Sequence, residues 1–199
     1  MDGIAEAPAS ILARPARRRF DVTEFHRMAE VGIFAEDDRL ELIDGEIIEM
    51  HAIGGPHIRA AIVLNRLLVL AAGERFIVST QNALRLDTGS EPEPDLVLLR
   101  PRAADRLGEL PPLAEDALLI VEVSNSSLRY DREIKLPLYA RHGVPEVWIV
   151  DLAAGEIEVC RAPAEGAYTD IVRAGRGATV TPFALPEARI AVTDVVPAV

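Results

Sequence analysis

The chain of 199 residues has one cysteine, one tryptophan and one lysine, and each scarcity excludes something. Cys160 alone rules out an internal disulfide and a cysteine-rich zinc site. No stretch approaches the roughly 18 uninterrupted apolar residues a membrane span needs, so no membrane partner is expected. Between Met1 and Arg19 the basic residues come after the short Ile11-Leu12 pair, the wrong order for a secretory signal, which makes the cytoplasm the expected address. Positive charge is also in short supply. Twenty-one basic against thirty-two acidic residues give a net charge of -11, which repels phosphate overall and excludes a protein that simply coats nucleic acid. A localised phosphate site is compatible with that balance. Gly-rich phosphate loops, His/Cys zinc clusters and the nucleophile elbow are missing, and Gly54-Gly55 is too short for a P-loop.

A 49% hydrophobic content over this length is enough to bury a sizeable core in one domain. Residues 1–19, rich in Ala and Pro and ending in Arg17-Arg18-Arg19, lack apolar periodicity and read as a flexible arm ahead of a single domain over residues 20–199. Asp21 and Glu24 have capping-box spacing, and Val22, Phe25, Met28, Ala29 and Ile33 repeat at helical intervals, which predicts a helix ending at Gly32. Leu40 to Ile43 and Glu46 to Met50 flank Asp44-Gly45, a type I′ hairpin signal. Pro56 opens and Gly73 closes a long, largely buried helix. Strands are expected over Phe76 to Thr80, Ala83 to Leu86, Leu96 to Leu99, Ala117 to Val123 and Val147 to Val150, with the fourth covered on both faces. A crossover helix capped by Asp131 should end at Gly143 and kink or restart at Pro137. Antiparallel additions are expected around Gly155, from Tyr168 to Val172, and from Ala188 to Val192. The order reads as a mixed α/β domain.

Glu122 breaks the apolar pattern of its strand. A carboxylate buried there must meet a cation or emerge at the strand end into solvent. It shares a face with Ser124, while Val121 and Val123 point the other way. Asp95 follows Pro94 at the mouth of the preceding apolar strand, where it is either a turn residue or a neighbour of Glu122. Two carboxylates at one sheet edge predict a pocket for a hard cation, since Mg²⁺ takes one or two carboxylates and keeps several waters. Lys135, the lone lysine among twenty arginines, lies in the first turns of the helix leaving the Glu122 strand. It is either a surface lysine or a compact charge able to approach a water or phosphoryl oxygen and to lose its proton when desolvated.

Together these residues carry a resemblance. Glu93-Pro94-Asp95-Leu96-Val97, then Leu119 to Ser127, Asp131 to Lys135 and Tyr139 to Asp151, joined by Glu41 to Glu46 and His57, resemble the Uma-two family of restriction-endonuclease-like proteins in the PD-(D/E)XK nuclease superfamily. The resemblance implies a three-layer α/β/α restriction-endonuclease-like fold with a mixed central sheet and antiparallel additions. It further implies Asp95, Glu122 and the Val123 carbonyl as ligands of Mg²⁺ or Mn²⁺, and Lys135 in place of the strand lysine of the superfamily, where this chain has Ser124. Glu41 resembles an accessory acid, or is the polar face of a hairpin strand. His57 resembles the family's histidine at the start of the long helix, or is a first-turn polar residue. Asn125 stands where the family often has proline. The implied activity is metal-dependent endonucleolytic hydrolysis of DNA by a homodimer, with Arg59, Arg129 and Arg132 attracting the substrate. The alternatives are a catalytically silent binding or regulatory module, and a phosphodiesterase acting on RNA or a smaller substrate.

Overall fold

The structure, a computed structural model, describes residues 16–50, 52–105, 108 and 110–196. Helix α1, Val22–Glu30, opens on the full capping box of Asp21 and Glu24 and stops at Val31, just short of the expected Gly32. Strands β1, Leu40–Ile43, and β2, Glu46–Glu49, form the expected antiparallel hairpin. Asp44 and Gly45 between them both have positive φ, at 48° and 77°, as a type I′ turn requires. Residues 1–15 of the expected arm lie outside the described residues, but its end is engaged. Arg17 and Arg19 pair with Glu46, Arg18 pairs with Glu24, and the Phe20 N–H donates to the Gly45 carbonyl.

Helix α2, Gly55–Ala72, starts with Pro56 in its first turn and is closed by Gly73 at φ 54°. By length and mean hydropathy it is the one described helix able to cross a bilayer. Its Ala60, Ala61, Leu64, Leu68 and Ala72 face packs on a sheet, but Ile58, Ile62, Val69 and Leu70 are exposed, so the helix is buried on one face and not largely buried as expected.

That sheet has six strands in the order β3-β4-β5-β6-β7-β8. They are β3, Ile77–Thr80; β4, Leu96–Leu99; β5, Ala117–Ser124; β6, Glu146–Asp151; β7, Glu156–Ala164; and β8, Ala167–Ala174. All neighbours are antiparallel except β5 and β6, which are parallel. A parallel pair needs a crossover. Here it is α3, Leu128–Tyr130, a π-helical turn over Asp131–Lys135, and α4, Leu136–Arg141. One side of the sheet, with Leu96, Leu98, Val121, Val123 and Trp148, packs on α2. The other, with Val97, Leu99, Ile120, Val147 and Ile149, packs on Tyr139 and Ala140 of α4. The result is the expected three-layer α/β/α sandwich with a mixed sheet. Near its end, β9, Thr179–Val180, pairs antiparallel with β10, Ile190–Ala191, before α5, Val192–Val195.

Three local expectations are corrected. Ala83 to Leu86 is not a strand. Leu84 and Leu86 donate to the Pro92 and Ser90 carbonyls, and Arg85 donates to Pro112, so its N–H groups go to separate loops and only an isolated bridge, Arg85 to Leu113, is left. Gly155 lies in the β6–β7 turn at φ 72°, and the long hairpin begins after it. Asp131 does not cap the crossover helix, which has already begun at Leu128. Its carboxylate instead accepts from the Ser124 and Ser127 hydroxyls at 2.6 and 2.8 Å. Pro137 is the second residue of α4, immediately after the π turn, so its ring and missing N–H fall where the helical hydrogen-bond ladder has already changed register.

The hairpin turn yields a test. A Cβ on Gly45 would lie 2.7 Å from the Arg19 Cβ and 3.0 Å from the Phe20 carbonyl oxygen, whereas one on Gly32, also at positive φ, would meet nothing within 4 Å. Gly45→Ala is expected to cost about 1–3 kcal/mol, and Gly32→Ala only about 1 kcal/mol of backbone strain. Urea unfolding midpoints measure both. Equal losses would mean that the docking of Arg19 and Phe20 on the turn contributes nothing.

Candidate active site

Alternation along β4 and β5 decides which residues share the site. Ile120, Glu122 and Ser124 project to the α4 side, as Val97 and Leu99 do on β4. The β4–β5 ladder pairs Leu96 with Val121, so Asp95 lies across from Glu122 just beyond the last pair. The two expected carboxylates therefore meet at one sheet edge. Asp95 Oδ2 accepts the Val123 N–H at 2.8 Å and lies 3.0 Å from His57 Nε2 at the start of α2. Among the described residues its Oδ1 has only Gln81 Nε2 at 3.5 Å. In an extended strand, the N–H and C=O of one residue point to the same side, so the Val123 carbonyl is also turned toward the β4 edge.

Lys135 is 5% exposed and no surface lysine. Its Nζ sits 3.0 Å from Glu41 Oε2 and 3.4 Å from Glu122 Oε1. Glu41 is itself buried on β1, with its Oε2 also accepting from the Glu93 N–H at 3.3 Å, so it is not the polar face of a hairpin. The Tyr139 hydroxyl donates to Glu122 Oε1 at 2.5 Å. Asp95, Glu122, Lys135, Glu41 and His57 thus line one cavity of about 270 Å³, with Val123, Tyr130 and Asp131.

Charge in this cluster is unbalanced. Burial pushes the Glu122 carboxyl up to about 8, against the pull of Lys135, and Asp131 and Asp95 push the same way. Burial likewise raises Asp131, although the Ser124 and Ser127 hydroxyls and Lys135 oppose it. Desolvation alone would lower Lys135, but Glu122, Glu41 and Asp131 outweigh it and hold the proton more firmly than usual. This corrects the expectation that a desolvated Lys135 could shed its proton. Among the described residues His57 Nδ1 and the Tyr130 hydroxyl are buried and close no hydrogen bond of good geometry, although burial and nearby Glu41 both raise the Tyr130 hydroxyl.

Tyr139, Asp131 and Tyr130 were not expected here. Asp131, Lys135 and Tyr139 follow at intervals of four, a helical-face signal that could have grouped them. The arginines expected to attract substrate are engaged elsewhere. Arg59 donates to the carbonyls of Asp194 and Val195, Arg129 pairs with Glu133, and Arg132 pairs with Glu158 and Asp151. The cavity wall instead carries Arg39.

A family model described as "Putative restriction endonuclease", Uma2, matches residues 22–193. The chain belongs to the Uma2 family. The fold of this Uma2 chain is similar to the crystal structure of a "putative nuclease belonging to DUF820" from Anabaena variabilis ATCC 29413. The two share 15% identity at a TM-score of 0.70, over 88% of this chain and 97% of that one. At such identity the likeness shows the fold. The type IIG restriction endonuclease BpuSI shares 15% identity over 60% of this chain and 14% of its own, at a TM-score of 0.38, too loose to carry an argument. No curated protein matches the Uma2 chain.

A pH test follows from Glu122. Its folded-state value of about 8 lies above the ordinary 4.5, so folded protein holds this proton more tightly than unfolded chain. The resulting stabilisation is complete below about pH 4.5 and is lost as pH rises through about 8. In EDTA, Glu122→Gln should lack this slope. Its melting temperature should exceed that of the wild type at pH 8.5, by about 2–4 °C per kcal/mol relieved, and the gain should shrink toward pH 5. Parallel melting curves for the two proteins across that range would contradict the assignment.

Proposed function

We propose that this Uma2 domain, running from residue 20 with residues 1–19 as an arm, is a divalent-metal-dependent endonuclease hydrolysing phosphodiester bonds in DNA. The observation that carries the reading is the convergence of Asp95, Glu122, Lys135, Glu41 and His57 on one cavity.

The donor set fits Mg²⁺ or Mn²⁺. Four buried carboxylates, Glu41, Asp95, Glu122 and Asp131, line the cavity with one buried ammonium that pairs with Glu41 and Glu122, an excess of negative charge that a hard cation would relieve. Among the described residues no three His, Cys, Asp or Glu side chains converge as a metal-binding group, so a bound ion would rest on two carboxylates, one carbonyl and water. Asp95, Glu122 and the Val123 carbonyl would hold it. When bound, such an ion polarises a phosphate oxygen and lowers the pKa of a water.

The chain's own residues do the rest. Val123 N–H and His57 fix Asp95 through Oδ2, leaving Oδ1 the freer oxygen. Tyr139 and Lys135 fix Glu122 through Oε1. Lys135 keeps its proton and so acts as a fixed positive charge that orients the attacking water or stabilises charge building on the phosphoryl oxygens. Glu41 holds that ammonium in place. The cytoplasm and a homodimer belong to the same reading. β8 is an uncovered edge strand with Ile171 and Val172 half exposed, a surface that a second copy would protect. Light scattering at micromolar concentration should report a dimer, and a monomer with and without DNA would remove this part.

Plasmid nicking in Mg²⁺ or Mn²⁺ against EDTA tests the activity. Either ion should also raise the melting temperature of the wild type and leave Glu122→Gln unmoved. Lys135→Ala should lower turnover at least about a hundredfold while retaining the metal-induced rise. Adding Ser124→Lys should recover part of the activity, because Ser124 shares the Glu122 face and already contacts Asp131. Lys135→Arg should not, since the broad guanidinium cannot occupy a slot made for a compact ammonium. Undiminished cutting by Lys135→Ala would remove Lys135 from the machinery. Absence of metal-dependent nicking would leave a silent binding module.

A further inference from the structure

The groups that would meet a phosphate lie well below the surface. Glu122 is 4% exposed, Lys135 5% and Asp95 9%. They are reached through the cavity of about 270 Å³, whose other wall is apolar, made of Ile48, Met50 and Ile53 from β2 and the loop that follows it. That volume sits just under the range of about 300–1,000 Å³ for small-molecule pockets, room for about one nucleotide. Duplex DNA is a stiff rod whose every base is paired across the axis. Its phosphates project only to the surface of that rod, so one reaches a recessed floor most readily where its nucleotide is unpaired and can leave the stack, a displacement that costs least in a single strand.

Charge argues the same way. Duplex binding draws on many Lys and Arg contacts to phosphates. This cavity is lined by six carboxylates, Glu41, Glu49, Glu93, Asp95, Glu122 and Asp131, against the cations Arg39 and Lys135. Lys135 is held by Glu41 and Glu122 at the cavity floor, where it serves the reacting phosphate and not its neighbours. Arg39, half-buried, feels the charge of Glu93 but closes no ion pair among the described residues, so it is a cation left for one phosphate rather than a row of them. Tyr130 adds a ring on the cavity wall and a buried hydroxyl that lies near Glu41 and closes no hydrogen bond of good geometry among the described residues.

We propose that the cavity admits one unpaired nucleotide, so that the substrate is DNA that is single-stranded at the cut, such as an end, flap or loop, in preference to intact duplex. Ile48, Met50 and Ile53 pack against base and sugar, the Tyr130 hydroxyl hydrogen-bonds the nucleotide, and Arg39 holds the neighbouring phosphate. The inference rests on the hydrolase reading of the same site, and it makes a binding claim that can be tested apart from that reading.

The experiment uses the full chain, a labelled single-stranded oligonucleotide and a blunt duplex of the same sequence and length. Binding is read by fluorescence anisotropy with Ca²⁺, and cutting is read in Mg²⁺ or Mn²⁺. Single strand should bind at least about tenfold tighter than duplex, a difference well outside experimental scatter. Ile53→Trp, which fills the cavity from a partly exposed loop position, should abolish that preference while its metal-induced melting shift stays as in wild type. Preferred binding without cutting supports the pocket and removes the hydrolase reading. Equal or better binding and cutting of duplex overturns the pocket and leaves the hydrolase reading standing. Binding of neither DNA overturns the pocket, and so does an Ile53→Trp protein that keeps the preference.

Discussion

The site depends on the Lys135 ammonium, buried between Glu41 of the hairpin and Glu122 of the central strand. Each of the three charges would be costly alone in that position, and removing one partner from a buried pair typically costs about 3–5 kcal/mol. β1, distant in sequence, is thereby held in register with β5 and the crossover helix that follows it by charge as well as by packing. The hairpin has its own anchors. Leu42 bridges to Glu91, and Arg17 to Phe20 close over its turn. Its Glu41 is therefore presented at a fixed height above the sheet.

Because acids outnumber bases in that cluster, the same interaction that organises it leaves it unsatisfied. Burial raises the Glu122 carboxyl to about 8 against the pull of Lys135, Asp131 leans on two serine hydroxyls, and Asp95 is tethered by a backbone N–H and a histidine. A structural salt bridge would be expected to balance its charges. A cluster that leaves one carboxyl hungry for positive charge, at the bottom of a cavity, has the character of a binding site.

The sheet supplies the platform. β5 is the strand where antiparallel pairing on one side gives way to parallel pairing on the other, so its end is bordered by the entry of β4 and by the start of the crossover helix. Open α/β sheets place ligands at such carboxyl ends. The π-helical turn at Asp131–Lys135 spreads one helical turn at the point where the helix passes Glu122, and it presents Lys135 to the sheet with Tyr139 one turn further on. The alternation of β5 keeps Val121 and Val123 on the α2 side, so the carboxylate of Glu122 never competes with the apolar layer for space.

What the sequence by itself determined is local. The capping box at Asp21, the Asp44-Gly45 turn, the Pro56-to-Gly73 helix and the apolar runs of β4, β5 and β6 are written in short-range patterns, where steric limits on φ and the period of the apolar residues leave little choice. The odd residues were legible for the same reason. A glutamate inside an unbroken apolar strand and one lysine among twenty arginines stand out without any coordinates. Tertiary structure decided whatever depends on partners far along the chain. The Ala83 to Leu86 stretch has strand-like composition but finds loops instead of a strand beside it. Asp131 looks like a cap and becomes the acceptor for Ser124, because β5 ends directly under it. Arg59 and Arg132 looked free for phosphate and are taken by carbonyls and carboxylates that only the fold brings near, Arg129 is taken by Glu133 one helical turn on, and Arg39, unremarkable in the sequence, ends up facing the cavity. Charge pairing and burial are sums over neighbours in space, and a linear pattern carries those neighbours only when they also lie close in sequence.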